Sequence, residues 1–244
     1  MTKIDKNDVF FEGIIEEYKK TKEDFQSKNL NQLAKEISHE IKEHESTFNE
    51  VFGFLVESFK GQLRRDNKTP LVFHSIFITK ILYLCDEKEL DSLLVASLHD
   101  ILEDTEVSEE ELKDKPFMKD KGYLIDYLKT LKENTELSRE PDGQNLPPRY
   151  KEHIKRIIGA PREVVNLEVI DRFCDLMDLE YITKLPKEER DMRLKAKIIK
   201  VRSFVENLTK NRQDYNKTCL ELFEYQLNKV ENEWGINKSG EIIS

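Results

Sequence analysis

The sequence predicts an all-helical protein, and three features of its 244 residues carry that prediction. Glycine (8 residues) and proline (7 residues) are scarce, so few positions suit turns that need special backbone angles. Charged residues make up 36% of the chain and hydrophobic residues 38%. Apolar residues recur about every three to four positions with charged residues between them, which is typical of helices that bury one face. The length fits one domain with a substantial core.

The first part of the chain, residues 9–60, has the pattern of amphipathic helices. Phe10, Ile14 and Tyr18 fall on one helical face, and similar groups recur further along. We expect two to three helices in this part.

Interruptions of the apolar pattern separate the remaining elements. Gly, Asp, Asn and Pro break the pattern over residues 61–70, which predicts a loop. Turn-forming residues are concentrated again over residues 133–149, which we interpret either as a functional or mobile loop or as a surface insertion. Helices are predicted from Pro70 through Leu84, where proline suits the first turn, and over residues 88–104, 123–132, 150–158, 162–179, 188–208 and 215–234.

Charge and cysteine content limit the possible partners. The net charge is −9, from 40 basic and 49 acidic side chains, which argues against a general nucleic-acid binder because phosphate contacts need a positive surface. Cys85, Cys174 and Cys219 are widely spaced and form no CxxC, so neither a disulfide framework nor a zinc ribbon is indicated. The sequence has no apolar stretch of signal-peptide or membrane-spanning length. We therefore expect a cytoplasmic protein without a membrane or nucleic-acid partner.

The string LHDILEDT, residues 98–105, is the most informative segment for chemistry. In a helix, His99 and Glu103 are one turn apart, and so are Asp100 and Asp104. His99 and Asp100 follow an apolar face directly, where charge costs free energy unless it is paired or binds a metal. The string predicts either a metal site or a solvated acidic face.

Two further positions add candidate ligands. His74 stands in the apolar run from Leu71 to Phe77, where a lone histidine is either a ligand or a hydrogen-bonded core residue. Asp171 lies between apolar neighbours, and its alternative role is a salt bridge on its own helix. Two histidines and two aspartates supply nitrogen and oxygen ligands, which suit Mn, Fe, Co or Zn better than calcium. Such an ion lowers the pKa of water and neutralises phosphoryl charge.

The order His74, His99-Asp100, Asp171 resembles the HD superfamily of metal-dependent phosphohydrolases. The HDILEDT string is similar to the HDxxEDT motif of RelA/SpoT-type (p)ppGpp hydrolases, including their small stand-alone members. The resemblance implies an all-α HD-domain helical bundle in which these four residues bind one divalent ion. Mn²⁺ is the expected ion, with Fe, Co, Zn or Mg as alternatives. It also implies that Glu103 and Asp104 position and activate the attacking water.

The segment before His74 resembles the GQ-x-R segment of the same family. By that resemblance Arg64 or Arg65 contacts the nucleotide, through its base or a phosphate. Where the family has Lys and Asn near its last ligand, this chain has Glu168 and Asp175. The expected substrate-binding residues are Arg64, Arg65, Lys68, Arg172 and Asp175.

The resemblance predicts one HD-type domain over residues 1–244, with its core at about 51–208, N-terminal helices over 9–50 and a C-terminal helix over 215–234. The most specific function that it implies is hydrolysis of a (p)ppGpp-like 3′-pyrophosphate, with a small nucleotide as the substrate. Two alternatives stay open: an HD phosphohydrolase of (deoxy)nucleoside mono- or triphosphates, and a non-catalytic module that binds a ligand or protein.

Overall fold

The computed structural model describes residues 6–131 and 148–237. The chain divides into two compact units, residues 1–132 and 133–244. Across the described residues the regular elements are helices, and Leu63 and Pro70 form an isolated antiparallel bridge. The predicted all-α class is confirmed, whereas the expected single domain over 1–244 stays a prediction. Nearly all of the predicted loop over 133–149 lies outside the described residues.

Three helices of the first unit form the predicted amphipathic N-terminal part. Asn29 begins the second of them, because its side-chain oxygen accepts the backbone N–H of Gln32 at 3.1 Å. Each helix buries one apolar face, including Phe11, Phe25 and Phe48. The three helices are α1 (Lys6–Ser27), α2 (Leu30–Glu40) and α3 (Glu45–Ser58), with a 3₁₀ turn at Lys42–His44 between α2 and α3.

The next helix, α4 (Val72–Leu84), lies at the centre of the first unit, in contact with α1, α2 and α3. It is buried on every side from Val72 to Leu82, as expected for a helix surrounded by others. Buried Lys80 binds Glu17 of α1 at 2.7 Å and Glu40 of α2 at 2.8 Å. These ion pairs join the N-terminal helices to the helix that carries His74.

The predicted continuous helix over 88–104 is wrong, because the chain forms α5 (Leu90–Leu98) and a single turn, α6 (Ile101–Asp104). Asp100 has a ψ of −6° between them, far from the helical value of about −42°. In a continuous helix the carbonyl of Ala96 would accept the N–H of Asp100. Here that carbonyl accepts from the His99 imidazole at 2.7 Å, and this side-chain bond competes with the helix.

The rest of the first unit contains α7 (Glu109–Lys113), a 3₁₀ turn (Pro116–Met118) and α8 (Leu124–Leu131), which packs against α5. The sequence predicted α8 but not α7. The signal for α7 is Ser108, whose hydroxyl accepts the N–H of Glu111 at 3.1 Å. Its five residues are too few for apolar periodicity to stand out.

The second unit confirms the helices predicted after residue 148. Pro161 and Pro186 each directly precede a helix, and Gly235, with a φ of +60°, ends the last one. Asn216 begins that last helix and donates its backbone N–H to the Asn166 side chain at 2.7 Å. The helices are α9 (Pro148–Ile158), α10 (Arg162–Met177), α11 (Glu180–Thr183), α12 (Lys187–Asn211) and α13 (Lys217–Trp234). Within this unit, α10 packs against α9 and α13, and α9 against α12.

None of the helices in these two described ranges combines the length and the apolar character needed to span a bilayer. The three cysteines, Cys85, Cys174 and Cys219, are buried and form no disulfide.

Candidate metal centre

The His99 side chain is oriented by the backbone of its own helix. Its Nδ1 lies 2.7 Å from the carbonyl oxygen of Ala96, and a carbonyl can only accept a hydrogen bond. Nδ1 therefore carries a hydrogen, and in the neutral ring the lone pair is on Nε2. Metal-binding histidines commonly have this arrangement, in which one nitrogen donates to the protein and the other faces the ion.

Asp100 lies beside both histidines. Its Oδ2 is 3.0 Å from Nε2 of His99 and 3.8 Å from Nε2 of His74. The two imidazole rings are 5.1 Å apart at an interplanar angle of 64°. A carboxylate oxygen and a nitrogen lone pair at 3.0 Å repel each other unless a cation lies between them. The cation is either a proton on His99, giving an ion pair, or a metal ion.

His74 owes its position to the start of α4. It is the third residue of that helix, and 8% of its surface is exposed. A ligand nitrogen of His74 and one of His99 lie within 4.8 Å of each other. The first unit thus brings together His74, His99 and Asp100, an imidazole and carboxylate set that fits a divalent transition ion.

Glu103 and Asp104 lie on α6, immediately after this cluster. Partial removal from water raises the pKa of the Asp104 carboxyl, and the nearby Asp100 carboxylate raises it further. Half-buried Glu103 borders a cavity of about 220 Å³ that His99 also lines. Both carboxyl groups are therefore near enough to the cluster to influence a reaction there.

The loop before α4, residues 61–70, which we call the arginine loop, holds three of the candidate substrate-binding residues. Arg64 is half-buried, whereas Arg65 and Lys68 are exposed. The Arg64 charge acts on Asp104 and lowers the pKa of that carboxyl, against the effects of burial and of Asp100. Arg64 therefore interacts electrostatically with a residue of α6.

Asp66 holds the arginine loop together, a role that the sequence pattern had not predicted. Its carboxylate accepts the backbone N–H groups of Lys68 and Thr69, both at 2.9 Å, and the Thr69 hydroxyl at 2.6 Å. Lys22 of α1 lies 3.5 Å away, and Gln26 of α1 donates to Thr69 at 2.8 Å. Burial opposes ionisation, but these bonds and the Lys22 charge outweigh it and lower the pKa of Asp66 to about 2. An Asp two residues before Lys68 was the available signal.

In the second unit, Asp171 lies on α10 and is half-buried. Glu168, one turn earlier, is buried and forms an ion pair with Arg172. His153 of α9 also contacts Glu168, at 3.3 Å from its Nε2. The same ring has a guanidinium at each nitrogen, with Arg156 at 3.0 Å from Nδ1 and Arg172 at 3.4 Å from Nε2.

These contacts compensate the Glu168 charge. Burial opposes ionisation of this carboxyl, but the Arg172 guanidinium and the His153 hydrogen bond outweigh burial and hold its pKa below the usual value. Asp175 is compensated in the same way, by Lys197 of α12 at 2.6 Å and by Arg172 at 3.6 Å. The two acidic residues that depart from the family pattern therefore add no uncompensated negative charge to this unit.

Comparison with known proteins identifies the fold. Neither a scan against protein-family models nor a search of curated proteins finds a match. Among solved structures, the chain resembles a metazoan ortholog of SpoT that hydrolyses ppGpp, with a TM-score of 0.55 and 19% sequence identity. The alignment covers 78% of this chain and 96% of the other. At this identity the similarity shows the fold alone, and it confirms the predicted all-α fold of the HD type.

Proposed function

We propose that this protein is a metal-dependent phosphohydrolase that acts on a nucleotide. The observation that carries the proposal is the contact of Asp100 Oδ2 with Nε2 of His99 at 3.0 Å, with the His99 Nδ1–H held by Ala96. This geometry leaves the Nε2 lone pair and the carboxylate to share one cation. A second imidazole, His74, lies at 3.8 Å from the same oxygen, which favours a metal ion over a proton.

Asp171 is the fourth ligand in this proposal. The support is its place in the ordered pattern of the sequence and its carboxylate, which complements two imidazoles and Asp100 for Mn²⁺ or a similar ion. When bound, the ion supplies Lewis-acid chemistry by lowering the pKa of water and neutralising charge on a phosphoryl oxygen.

Glu103 and Asp104 are the proposed proton acceptors for the attacking water. A carboxyl group with a raised pKa holds a proton more readily, so Asp104 suits proton transfer better than an ordinary surface aspartate. Glu103 borders the cavity beside His99, where a water molecule or part of the substrate could lie.

The most specific form of the proposal is hydrolysis of the 3′-pyrophosphate of a (p)ppGpp-like nucleotide. Two observations support it: the HDILEDT string, and the fold shared with an ortholog that hydrolyses ppGpp. Arg64 is the proposed substrate contact from the arginine loop, and Arg172 the proposed contact from α10. Compensation of Glu168 and Asp175 by cationic side chains removes an electrostatic objection to a polyphosphate substrate.

A substrate panel tests this form of the proposal. Purified protein with Mn²⁺ is incubated separately with ppGpp, nucleoside monophosphates, nucleoside triphosphates and deoxynucleoside triphosphates, and released phosphate and pyrophosphate are measured. Pyrophosphate release from ppGpp at the highest kcat/KM supports the alarmone form. Inert ppGpp beside turnover of another nucleotide contradicts that form and favours the broader phosphohydrolase.

Metal content separates the enzyme from a non-catalytic binding module. Protein purified without chelator is analysed for Mn, Fe, Co, Zn and Mg. The enzyme is expected to carry about one equivalent of a divalent ion, since the four ligands describe one site. Absence of both a bound ion and nucleotide turnover would contradict the enzyme and favour the non-catalytic binding module.

A further inference from the structure

Gln62 connects two segments of the first unit that carry different parts of the proposed site. Its side-chain Nε2 donates a hydrogen bond of 2.8 Å to the backbone carbonyl of Asp104, the last residue of α6. Gln62 itself belongs to the arginine loop, two residues before Arg64. We propose that Gln62 is a positioning residue that holds the Glu103 and Asp104 carboxylates in place. This inference rests on the proposed function.

The short helix α6 needs such support. It has four residues, and a single helical turn is unstable by itself because nucleation fixes several dihedral angles for one hydrogen bond. The carbonyl groups of a last turn also lack partners within the helix. Thr105 donates its hydroxyl to the carbonyl of Ile101 at 2.6 Å, and Gln62 satisfies the carbonyl of Asp104.

Both backbone polar groups of Gln62 are hydrogen-bonded, which fixes the position from which its side chain extends. Its N–H donates to Phe59 at 3.0 Å, and its carbonyl accepts the N–H of Leu71 at 3.0 Å. Leu63 and Pro70 form the antiparallel bridge next to it. Leu71 in turn precedes the first residue of α4, the helix that carries His74.

Hydrogen bonds of Gln62 therefore connect three parts of the proposed site: the carboxylate-bearing helix α6, the start of α4 and the arginine loop. Reacting groups must be held to within about 0.5 Å for efficient catalysis. Loss of the Gln62 bond would let α6 move without removing any group that contacts substrate or metal. The expected consequence is a slower chemical step with little change in binding.

The test compares two isosteric variants. Gln62→Met removes the donor while keeping the side-chain length. Gln32→Met is the matched control, because Gln32 donates a bond of 2.9 Å to exposed Glu36 on α2. We expect Gln62→Met to lower kcat about tenfold, equivalent to about 1.4 kcal/mol, with KM within about twofold of the unaltered protein and metal content unchanged. Gln32→Met should leave all three quantities unchanged.

Gln62→Glu provides a second readout, the pH dependence of kcat, which a general loss of folding would not reproduce. The introduced carboxyl can donate to the Asp104 carbonyl only when it is protonated. The kcat of Gln62→Glu divided by that of the unaltered protein should therefore rise as the pH is lowered towards about 5. The same ratio for Gln62→Met should be independent of pH. Both ratios cancel the pH dependence of the metal site itself.

The outcomes are distinguishable. Unchanged kcat in Gln62→Met, a selective rise in KM, or loss of metal each overturns the positioning role, as does a flat pH ratio for Gln62→Glu in a folded variant. If the unaltered protein hydrolyses no nucleotide, the proposed function fails and the positioning role fails with it.

Discussion

The Nδ1–H of His99 donates to the carbonyl of Ala96 at 2.7 Å, three residues earlier in the chain. The bond fixes the ring so that Nε2 faces Asp100, and it occupies the carbonyl that a continuous helix would use. The break between α5 and α6 and the orientation of the candidate ligand thus involve the same contact.

Removal of either imidazole should empty the metal site. We expect His74→Ala and His99→Ala to weaken metal binding by more than about 100-fold, because changes to groups that only support a ligand already cost about 10- to 100-fold. His39→Ala is the control, since His39 is an exposed histidine that pairs with Glu45 on the surface. Metal content after dialysis, measured by elemental analysis, checks this. If both His74→Ala and His99→Ala kept a full equivalent of metal, the two histidines would not be the metal ligands.

The two arginines of the arginine loop should differ in their effect on the substrate. Arg64→Met should lower kcat/KM by about tenfold or more, since a charged contact is equivalent to about 1.5–3 kcal/mol. Arg65→Met is the matched variant and should change kcat/KM by less than about twofold, because Arg65 is exposed. Steady-state kinetics on the best substrate of the panel decide between them. A larger loss of kcat/KM in Arg65→Met than in Arg64→Met would instead make Arg65 the substrate contact.

The arginine loop should give the protein a pH-dependent stability at low pH. The pKa of Asp66 is about 2 in the folded chain against an ordinary value of 3.8. Because the folded pKa is the lower one, the stabilisation is complete above about pH 4 and is lost as the pH falls towards 2. Asp66→Asn should therefore reduce the free energy of unfolding by about 1 kcal/mol at pH 7 and by less at pH 3.

Urea unfolding at several pH values measures this difference. Asp126→Asn, at an exposed position on α8, is the control and should show no such trend. If Asp66→Asn lowered the free energy of unfolding by the same amount at pH 7 and at the lowest pH where the protein stays folded, ionic stabilisation of the loop would be contradicted.

Several of these features could be predicted from the sequence, and others could not. Apolar periodicity predicted α4 and its histidine, because a helix buried on all sides has an uninterrupted apolar run. It failed at His99, where α5 ends without any change in apolar pattern and a bond from a side chain to the backbone competes with the helix. Asp66 and Gln62 were missed as supporting residues for the same reason, since their contacts depend on tertiary geometry.

For Glu168 and Arg172, the electrostatic effect expected from the sequence differs from the one in the folded chain. The sequence showed that Glu168 replaces a lysine of the family pattern, which indicated added negative charge. In the folded chain Glu168 is buried against Arg172 and His153, and the charge is compensated. Sequence spacing predicts a possible pair one helical turn apart, but it does not show whether the pair is buried.

That pair leads to a stability prediction. Arg172→Met leaves Glu168 buried with one cationic partner fewer and should destabilise the protein by about 3 kcal/mol or more. The double variant, Glu168→Gln with Arg172→Met, removes the stranded charge and should recover much of the loss. Urea or thermal unfolding of the two single variants and the double variant provides the measurement. A double variant as unstable as the sum of the two single variants would contradict a coupled buried pair.

The most direct test of the central claim is nucleotide hydrolysis by protein freed of metal and then reconstituted with Mn²⁺. We predict release of pyrophosphate or phosphate that requires the ion. It should be abolished in Asp100→Ala, with the melting temperature of the metal-free fold largely retained, and kept in the control Asp126→Ala. Hydrolysis by Asp100→Ala at the unaltered rate, or no hydrolysis of any nucleotide by the reconstituted protein, would contradict the account.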